Sequence, residues 1–286
     1  MIPASFEYTR ASSLRDALTA LAKGDGTKVL AGGHSLIPMM KFRLAQPGRL
    51  IDVGRLSELK GIGEHRRGAR IGALTTYREI LESDLLRERY PLLAEATQGI
   101  GDVQVRNRGT IGGSLAHADP ASDTPAIMVA LDAGFTLRSK RGKRTVPARE
   151  FFQAPFSTAL AEDELLIEIT LPPLPRGAGT AYVSFNQAAS GYPLAAAAAV
   201  IARSRKTVSH AVVALSGLGD VARRVQAAEQ LVGTKGEPDV IARVAAAAPE
   251  GSRSRATSTP RRHIGAISSP SPLATPSPAP WNGPSS

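Results

Sequence analysis

Apolar residues along positions 1–175 are spaced in short patterns that predict interspersed helices and strands. They recur every three or four residues after Ser13, Thr76 and Pro91, which predicts amphipathic helices ending near Gly24, Leu86 and Ile100. Alternating or continuous apolar segments predict strands at 27–31, 49–53, 69–74, 135–138, 145–147 and 163–171. The prolines at 172–175 then indicate a domain boundary, and a length of 286 residues accommodates two domains.

The pattern after this boundary predicts a small α+β domain over residues 176–250. Strands are expected at 180–187 and 210–218 and amphipathic helices at 222–232 and 239–248, whereas 194–202 is small, apolar and rich in alanine. From residue 251 the periodicity is lost. The last 36 residues contain seven prolines, nine serines and no acidic residue, so we expect a disordered tail.

Two glycine-rich segments carry the candidate chemistry. The first glycine segment, L-A-G-G-H-S-L at 30–36, follows a predicted strand, and the second, T-I-G-G-S at 110–114, lies between two predicted helices. Glycine permits positive φ and lets a bulky anion approach backbone N–H groups closely. We therefore predict two loops that hold a diphosphate from two sides. An apolar helix from Pro125 to Ala133, stopped by Gly134, follows the second segment.

A classical Rossmann site is considered and rejected. Its fingerprint is G-x-G-x-x-G with an acidic residue about 20 positions later. Asp52 lies near the position of that acid, but the first glycine segment reads G-G-H-S-L and is followed by Pro38. The glycine spacing is wrong, and the proline indicates a loop or short helix.

Composition excludes several other kinds of site. Without cysteine the chain has no disulfide, thiolate metal site or cluster-ligating thiolate, and its five histidines are too scattered to predict a metal site. No acid–base or nucleophilic catalytic group is predicted. The net charge of +10 arises partly from a basic turn at 138–144 and from the tail, and with few aromatic residues it does not predict nucleic-acid binding. No apolar run of ~18 residues and no signal peptide is visible, so we expect a cytoplasmic protein without a membrane span.

Two long motifs carry a family resemblance: A-G-G-H-S-L-I-P-M-M-K-F-R-L-A and Q-V-R-N-R-G-T-I-G-G-S-L-A-H-A-D-P-A-S-D. They resemble the FAD-binding subunit of the molybdenum hydroxylases, in particular the medium subunit of carbon monoxide dehydrogenase and the FAD subunit of xanthine dehydrogenase. The resemblance extends over about residues 3–248. It implies an α+β fold with an FAD-binding domain of the vanillyl-alcohol-oxidase (PCMH) type at 1–175, in two lobes of about 1–57 and 58–175, and a C-terminal domain at 176–250.

The resemblance also implies which residues bind FAD. Both glycine segments would wrap the pyrophosphate through Leu30, Ala31, Gly32, Gly33, His34, Ser35 and Leu36, and through Thr110, Ile111, Gly112, Gly113 and Ser114.

Four further residues match family positions near the cofactor. Asp123 matches an aspartate that contacts it, and the alternative is a plain helix N-cap before Pro125. Ile100 and Leu166 match apolar positions that line the flavin, and ordinary core residues are the alternative. Tyr192 matches a position near the isoalloxazine ring. We interpret His34 and His117 as loop residues, or as residues that support those in contact with the cofactor, and not as acid–base catalysts.

The implied activity is that of an electron relay. Electrons would pass from the [2Fe–2S] clusters of a partner through FAD to NAD⁺, a quinone or oxygen, without hydroxylation by this chain. The implied partners are a molybdopterin-binding large subunit and a [2Fe–2S] small subunit, assembled as a dimer of heterotrimers. A stand-alone FAD-dependent oxidase of the same fold class and a degenerate scaffold without flavin are the alternatives.

Two departures from the family are visible. Asn186 occupies a strand position where family members often have lysine, which changes the charge expected near the flavin. Residues 260–263, P-R-R-H, resemble the Y-R-R-H-L-type segment near the end of family members, but a proline- and serine-rich sequence follows, so the tail is aberrant for the family.

Overall fold

A small parallel sheet forms the N-terminal part of the computed structural model, which describes residues 2–24, 26–189 and 191–250. Strand β3 (Arg49–Asp52) lies between β1 (Glu7–Arg10) and β2 (Thr27–Leu30). Helix α1 (Leu14–Leu21) begins after Ser13, whose side chain accepts from the Asp16 N–H, and its apolar side packs on this sheet. Helix α2 (Leu36–Lys41) follows β2.

An antiparallel five-stranded sheet follows in the order β4-β5-β10-β6-β7, linked to β3 by a 3-10 helix at Ser57–Leu59. Its strands and those of a separate two-stranded sheet, β8-β9, are β4 (Ile62–His65), β5 (Gly68–Gly72), β6 (Gly134–Ser139), β7 (Gly142–Pro147), β8 (Phe152–Ala154), β9 (Ser157–Thr158) and β10 (Leu165–Leu171). The predicted hairpin is confirmed as β6-β7, and a bulge interrupts β10 between Leu166 and Glu168.

Seven helices lie between these strands within the described residues: α3 (Tyr77–Glu82), α4 (Asp84–Arg89), α5 (Pro91–Gln98), α6 (Val103–Arg108), α7 (Ile111–His117), α8 (Asp123–Ala130) and α9 (Ala148–Phe151). The capping box of Thr76 and Glu79 is confirmed. The single helix predicted over 77–86 is wrong, because Ser83 takes an extended conformation and its hydroxyl accepts from the Leu86 N–H (3.3 Å), starting a second helix.

The C-terminal residues form an antiparallel meander of four strands in chain order: β11 (Ala178–Asn186), β12 (Pro193–Ser204), β13 (Thr207–Ser216) and β14 (Arg223–Arg224). A 3-10 helix at Gln226–Leu231 and α10 (Pro238–Ala247) cover one face. The amphipathic helix predicted at 222–232 is wrong. Its first residues pair with β13, and the Arg224 guanidinium donates to the Asp132 carboxylate (2.9 Å), contacts that no local pattern reveals.

Helix α8 joins the two larger sheets into one core. Residues 124–130 are all buried, and the helix packs against β12 and β13 as well as α5. The alanine-rich segment at 194–202 is a strand because its small side chains, such as Ala196 and Ala198, let α8 approach closely. The described residues form one compact unit, so the boundaries predicted near 57 and 175 stay predictions; the change of sheet falls between β10 and β11. The predicted tail at 251–286, with its P-R-R-H segment, lies outside the described residues.

Candidate functional site

The first glycine segment is a loop between β2 and α2 with free backbone N–H groups. Gly33 has a φ of +80°, and within the described residues no group accepts a hydrogen bond from the N–H groups of residues 32–35. The Ser35 hydroxyl makes no capping bond to α2. Successive N–H groups around a residue of positive φ form a concave surface that binds anions. This loop therefore fits the diphosphate of FAD.

The second glycine segment is not a loop, so that prediction is wrong: it forms the start of α7. Thr110 is the N-cap, and its hydroxyl accepts from the Gly113 N–H (3.3 Å). The N–H groups of residues 111 and 112 donate to backbone oxygens of residues 75 and 73 (3.0 and 2.9 Å), and that of Ser114 donates to the Thr110 oxygen (3.0 Å). Because these N–H groups already have acceptors, the segment offers a ligand the Thr110 hydroxyl and the bare glycine surface.

The two segments lie side by side. A Cβ atom on Gly32 would lie 2.1 Å from the backbone oxygen of Arg108, two residues before the second segment. A Cβ atom on Gly113 would lie 3.8 Å from the Cβ of Ala31. Only a glycine at position 32 permits this approach, which supports the predicted arrangement of two segments around one ligand.

His34 connects the first segment to α6. Its Nε2 lies 3.0 Å from the backbone oxygen of Gln104, and the tautomer with hydrogen on Nε2 donates this bond. His117, at the end of α7, stacks at a tilt on Phe156 with ring centroids 5.1 Å apart, and burial lowers its pKa. These contacts support the interpretation of both histidines as structural residues.

Ser114 points into a cluster of hydroxyl groups between α7 and α8. Its Oγ lies 3.1 Å from Ser122 Oγ and 2.9 Å from Thr124 Oγ1. The hydroxyl group of Tyr77 lies beside Ser114 and Thr124, and burial raises the pKa of Tyr77 to about 12. The cluster therefore stays uncharged at neutral pH and fixes α8 against α7.

Asp123 ties the start of α8 to the C-terminal sheet. Its carboxylate accepts a hydrogen bond from the hydroxyl of Tyr182 on β11. Burial raises the pKa of Asp123, and burial together with the Asp123 charge raises the pKa of Tyr182, which keeps its proton. Asp123 is the first residue of α8 and Ser122 is its N-cap, so the interpretation of Asp123 as the N-cap is wrong.

The three predicted flavin-lining residues lie in different environments. Ile100 is half-buried after α5 and packs on the main core, and Leu166 on β10 is 6% exposed within it. This burial favours the core alternative for Leu166. Tyr192 is 55% exposed between β11 and β12, and its pKa is raised by burial and by the charges of Asp119 and Asp123, so it lies near the start of α8.

Sequence reasoning missed the tyrosines that support this region. The apolar pattern indicates only that Tyr77 belongs to a helix and Tyr182 to a strand. No local signal connects Tyr182 with Asp123, because the two are 59 residues apart and meet through the packing of β11 beside α8. The motif S-D-T at 122–124 was the one signal for the hydroxyl cluster.

Charge and composition add little to the site. In the basic turn of the β6-β7 hairpin, Arg144 donates two bonds to Glu164 (2.8 and 2.7 Å) and Arg141 donates to Asp163 (3.0 Å). Among the described residues no three histidine, aspartate or glutamate side chains are grouped to hold a metal ion. None of the described helices has the length and apolar character needed to cross a membrane.

The chain is similar to known proteins over most of its length. Residues 4–174 match the family described as the FAD binding domain in molybdopterin dehydrogenase. Over 225 residues, 78% of each chain, it is 44% identical to the carbon monoxide dehydrogenase medium chain of Hydrogenophaga pseudoflava. It is 41% identical to the glyceraldehyde dehydrogenase medium chain of Sulfolobus acidocaldarius, over 86% of this chain and 87% of the relative.

A solved structure agrees with these matches. The crystal structure of the cyanide-inactivated Cu,Mo-CO dehydrogenase superposes with a TM-score of 0.87 at 38% identity, over 90% of this chain and 91% of that chain. The predicted α+β fold of the PCMH type, the FAD cofactor and the assignment to an oxidoreductase are thereby confirmed. The chain belongs to the family of FAD-binding domains of the molybdopterin dehydrogenases, as an FAD-binding medium subunit of the molybdenum hydroxylase type.

Proposed function

We propose that this protein is the electron-transfer subunit of a molybdenum hydroxylase. It receives electrons from the [2Fe–2S] clusters of a partner and passes them to NAD⁺, a quinone or oxygen. FAD, when bound, supplies the redox chemistry that links these donors and acceptors. Because this chain contains no cysteine, its residues provide no thiolate for an iron–sulfur cluster, and our proposal assigns the clusters to a partner.

The row of free N–H groups at residues 32–35, beside the second glycine segment, is the observation that supports this function most strongly. In the proposed site these groups bind the diphosphate, and the hydroxyls of Ser35 and Thr110 add hydrogen bonds. Asp123 and Tyr192 lie toward the flavin end. The chain's own residues bind, orient and shield the cofactor, which is all that an electron relay requires.

The names of similar proteins support a multi-subunit assembly. One relative, 38% identical, is subunit alpha of the 6-hydroxypseudooxynicotine dehydrogenase complex. Another, 35% identical, is the medium subunit of nicotine 6-hydroxylase. We propose a molybdopterin-binding large subunit and a [2Fe–2S] small subunit as partners, in a dimer of heterotrimers in the cytoplasm. Similar medium chains occur in enzymes named for carbon monoxide, glyceraldehyde and nicotine. Because the medium chain is similar while the named substrate differs, we assign substrate specificity to another subunit.

An absorption spectrum of the purified protein, before and after addition of FAD, tests the flavin site. We expect the two visible bands of an oxidised flavin, retained after desalting. Anaerobic addition of a reduced [2Fe–2S] protein should then bleach these bands. A folded protein that stays colourless in excess FAD would instead identify the scaffold alternative. A flavin that bleaches with a small organic substrate alone would identify the stand-alone oxidase.

A further inference from the structure

We propose that the C-terminal sheet carries a second anion site, which binds a phosphorylated small molecule through its di- or triphosphate group. The site is a cleft of about 690 Å³ between the start of β11 and the turn that joins β12 to β13. Small-molecule sites commonly have volumes of about 300–1,000 Å³. None of the residues that line this cleft belongs to the candidate FAD site.

The cleft is cationic, and the described residues supply it with no counter-ion. Arg176, Arg203, Arg205 and His210 line it, and none of the described lining residues is acidic. In the described part of the chain none of the three arginines forms an ion pair. The sequence of residues 251–286 contains no aspartate or glutamate, so it includes no acidic side chain. Three unpaired guanidinium groups around one concavity repel each other, and a bound polyanion relieves that repulsion.

One of these arginines is already held in position. An Nη atom of Arg203 donates to the backbone oxygens of Lys206 and Lys235, both at 3.1 Å. The opposite wall of the cleft lies close to the backbone of Arg203. Gly177 in that wall has a φ of +74°, and a Cβ atom on it would lie 3.3 Å from the Arg203 backbone oxygen. A cation that is fixed before binding loses less conformational entropy when a ligand arrives.

Arg205 occupies a backbone conformation that favours glycine. It has a φ of +55° in the two-residue turn between Ser204 and Thr207. Such turns ordinarily use glycine or asparagine. Glycine would adopt this conformation at lower cost than arginine does.

The donors match phosphate better than other anions. Planar guanidinium groups form paired hydrogen bonds with phosphate oxygens. The hydroxyls of Ser204 and Ser209 also line the cleft. Among the described residues no phenylalanine, tyrosine or tryptophan lines it, so the large rings on which bases of a single-stranded nucleic acid usually stack are missing from its walls. The concave shape and size thus favour a small ligand with several adjacent phosphates.

Calorimetric titration of the FAD-saturated full chain with inorganic pyrophosphate tests the site. We expect one binding event that is weakened about tenfold by Arg205→Gly and about tenfold by Arg176→Ala, since each removes a charged donor. Arg205→Gly also relieves the backbone conformation, so its Tm should equal or exceed that of the unmodified protein. A Tm that is not lowered would show that weaker pyrophosphate binding by Arg205→Gly does not result from unfolding.

Arg15→Ala is the matched control, because it removes an exposed positive charge from α1 whose side chain forms no ion pair among the described residues. It should leave pyrophosphate binding unchanged. Absence of binding, or an equal affinity in Arg205→Gly, Arg176→Ala and the unmodified chain, would overturn the proposal. A titration with ADP then distinguishes two kinds of ligand. Tighter binding of ADP than of pyrophosphate would indicate a nucleotide, and equal or weaker binding would indicate a ligand recognised through its phosphates alone. The visible flavin bands, monitored throughout, report the FAD site independently.

Discussion

The two glycine segments have similar sequences but use their glycines for different physical reasons. In A-G-G-H-S the chain is a loop, Gly33 needs its positive φ, and the backbone N–H groups have no acceptor among the described residues. In T-I-G-G-S the chain begins a helix, its N–H groups are already bonded, and Gly112 is needed because Ala73 packs directly against it.

This difference assigns different work to the two sides of the proposed cofactor site. The first segment supplies the dipoles that bind an anion, whereas the second supplies a flat surface free of side chains and a capping hydroxyl. The shared G-G therefore does not imply a shared role. Substitutions that distinguish the two segments test this conclusion.

The largest effect is expected where the segments touch. In Gly32→Ala the new Cβ atom would lie 2.1 Å from the Arg108 oxygen, and backbone atoms cannot rotate away as a side chain can. We expect a loss of stability near the upper end of the ~1–3 kcal/mol range for overpacking, and loss of bound FAD. Urea unfolding and the visible spectrum measure both.

Gly179→Ala on β11 is the control for Gly32→Ala. Its Cβ atom would have nothing within 4 Å and its φ is not in the left-handed region, so stability and FAD content should be close to those of the unmodified protein. If Gly32→Ala behaves like this control, the close approach of the two segments is wrong.

Neighbouring glycines of the second segment should respond in opposite ways. The Cβ of Gly112→Ala would lie 2.5 Å from the Ala73 Cβ and 2.6 Å from its oxygen, so we expect a loss of about 2 kcal/mol in stability. In Gly113→Ala the obstacle is the movable Thr110 hydroxyl at 2.7 Å.

For Gly113→Ala the helix preference of alanine over glycine, about 1 kcal/mol, offsets a weakened cap of similar size. Stability should therefore change little while FAD affinity falls, because a methyl group now lies on the proposed ligand surface. Urea midpoints and FAD titrations on both variants measure the contrast. Equal stability losses in the two variants would contradict the distinct roles.

Local chemistry explains which elements could be predicted from the sequence. The caps at Ser13 and Thr76 were identified correctly because the residue and its partner are three positions apart. The helix predicted at 222–232 failed because Arg224 pairs with a strand and with Asp132, 92 residues away. The need for glycine at position 112 could not be predicted either, because it depends on the packing of Ala73, which is distant in the sequence. The family motifs located both glycine segments, but they did not indicate which of the two has free N–H groups.

A smaller effect is expected at the link between Asp123 and Tyr182. Tyr182→Phe removes the hydroxyl that donates to this partly buried carboxylate, and a bond to a charged group contributes about 1.5 kcal/mol or more. In the folded protein the pKa of Asp123 lies above its ordinary value of 3.8, so the folded state binds the proton more readily than the unfolded state. The contribution of this group to stability therefore falls as pH rises from 3.8 through the pKa of the folded state.

The Tyr182 hydroxyl opposes that shift, so its removal raises the pKa of Asp123 further. The stability difference between Tyr182→Phe and the unmodified protein should therefore be smallest in acid, where the carboxyl is protonated in both, and should grow as pH rises. Urea unfolding across a pH series measures this trend. A difference that does not change with pH would show that Tyr182 contributes through packing alone.

The smallest effect is expected at His34, which belongs to the first segment but whose side chain contacts the backbone of α6. His34→Ala removes one exposed hydrogen bond to the Gln104 oxygen, which water can replace, so stability should fall by no more than about 0.5 kcal/mol. FAD affinity, measured by quenching of flavin fluorescence, should fall only about twofold, because the backbone of residues 32–35 is unchanged. A complete loss of FAD would instead show that the imidazole contacts the cofactor. The first segment would then bind through a side chain as well as through its backbone, and the contrast with the second segment would be less sharp.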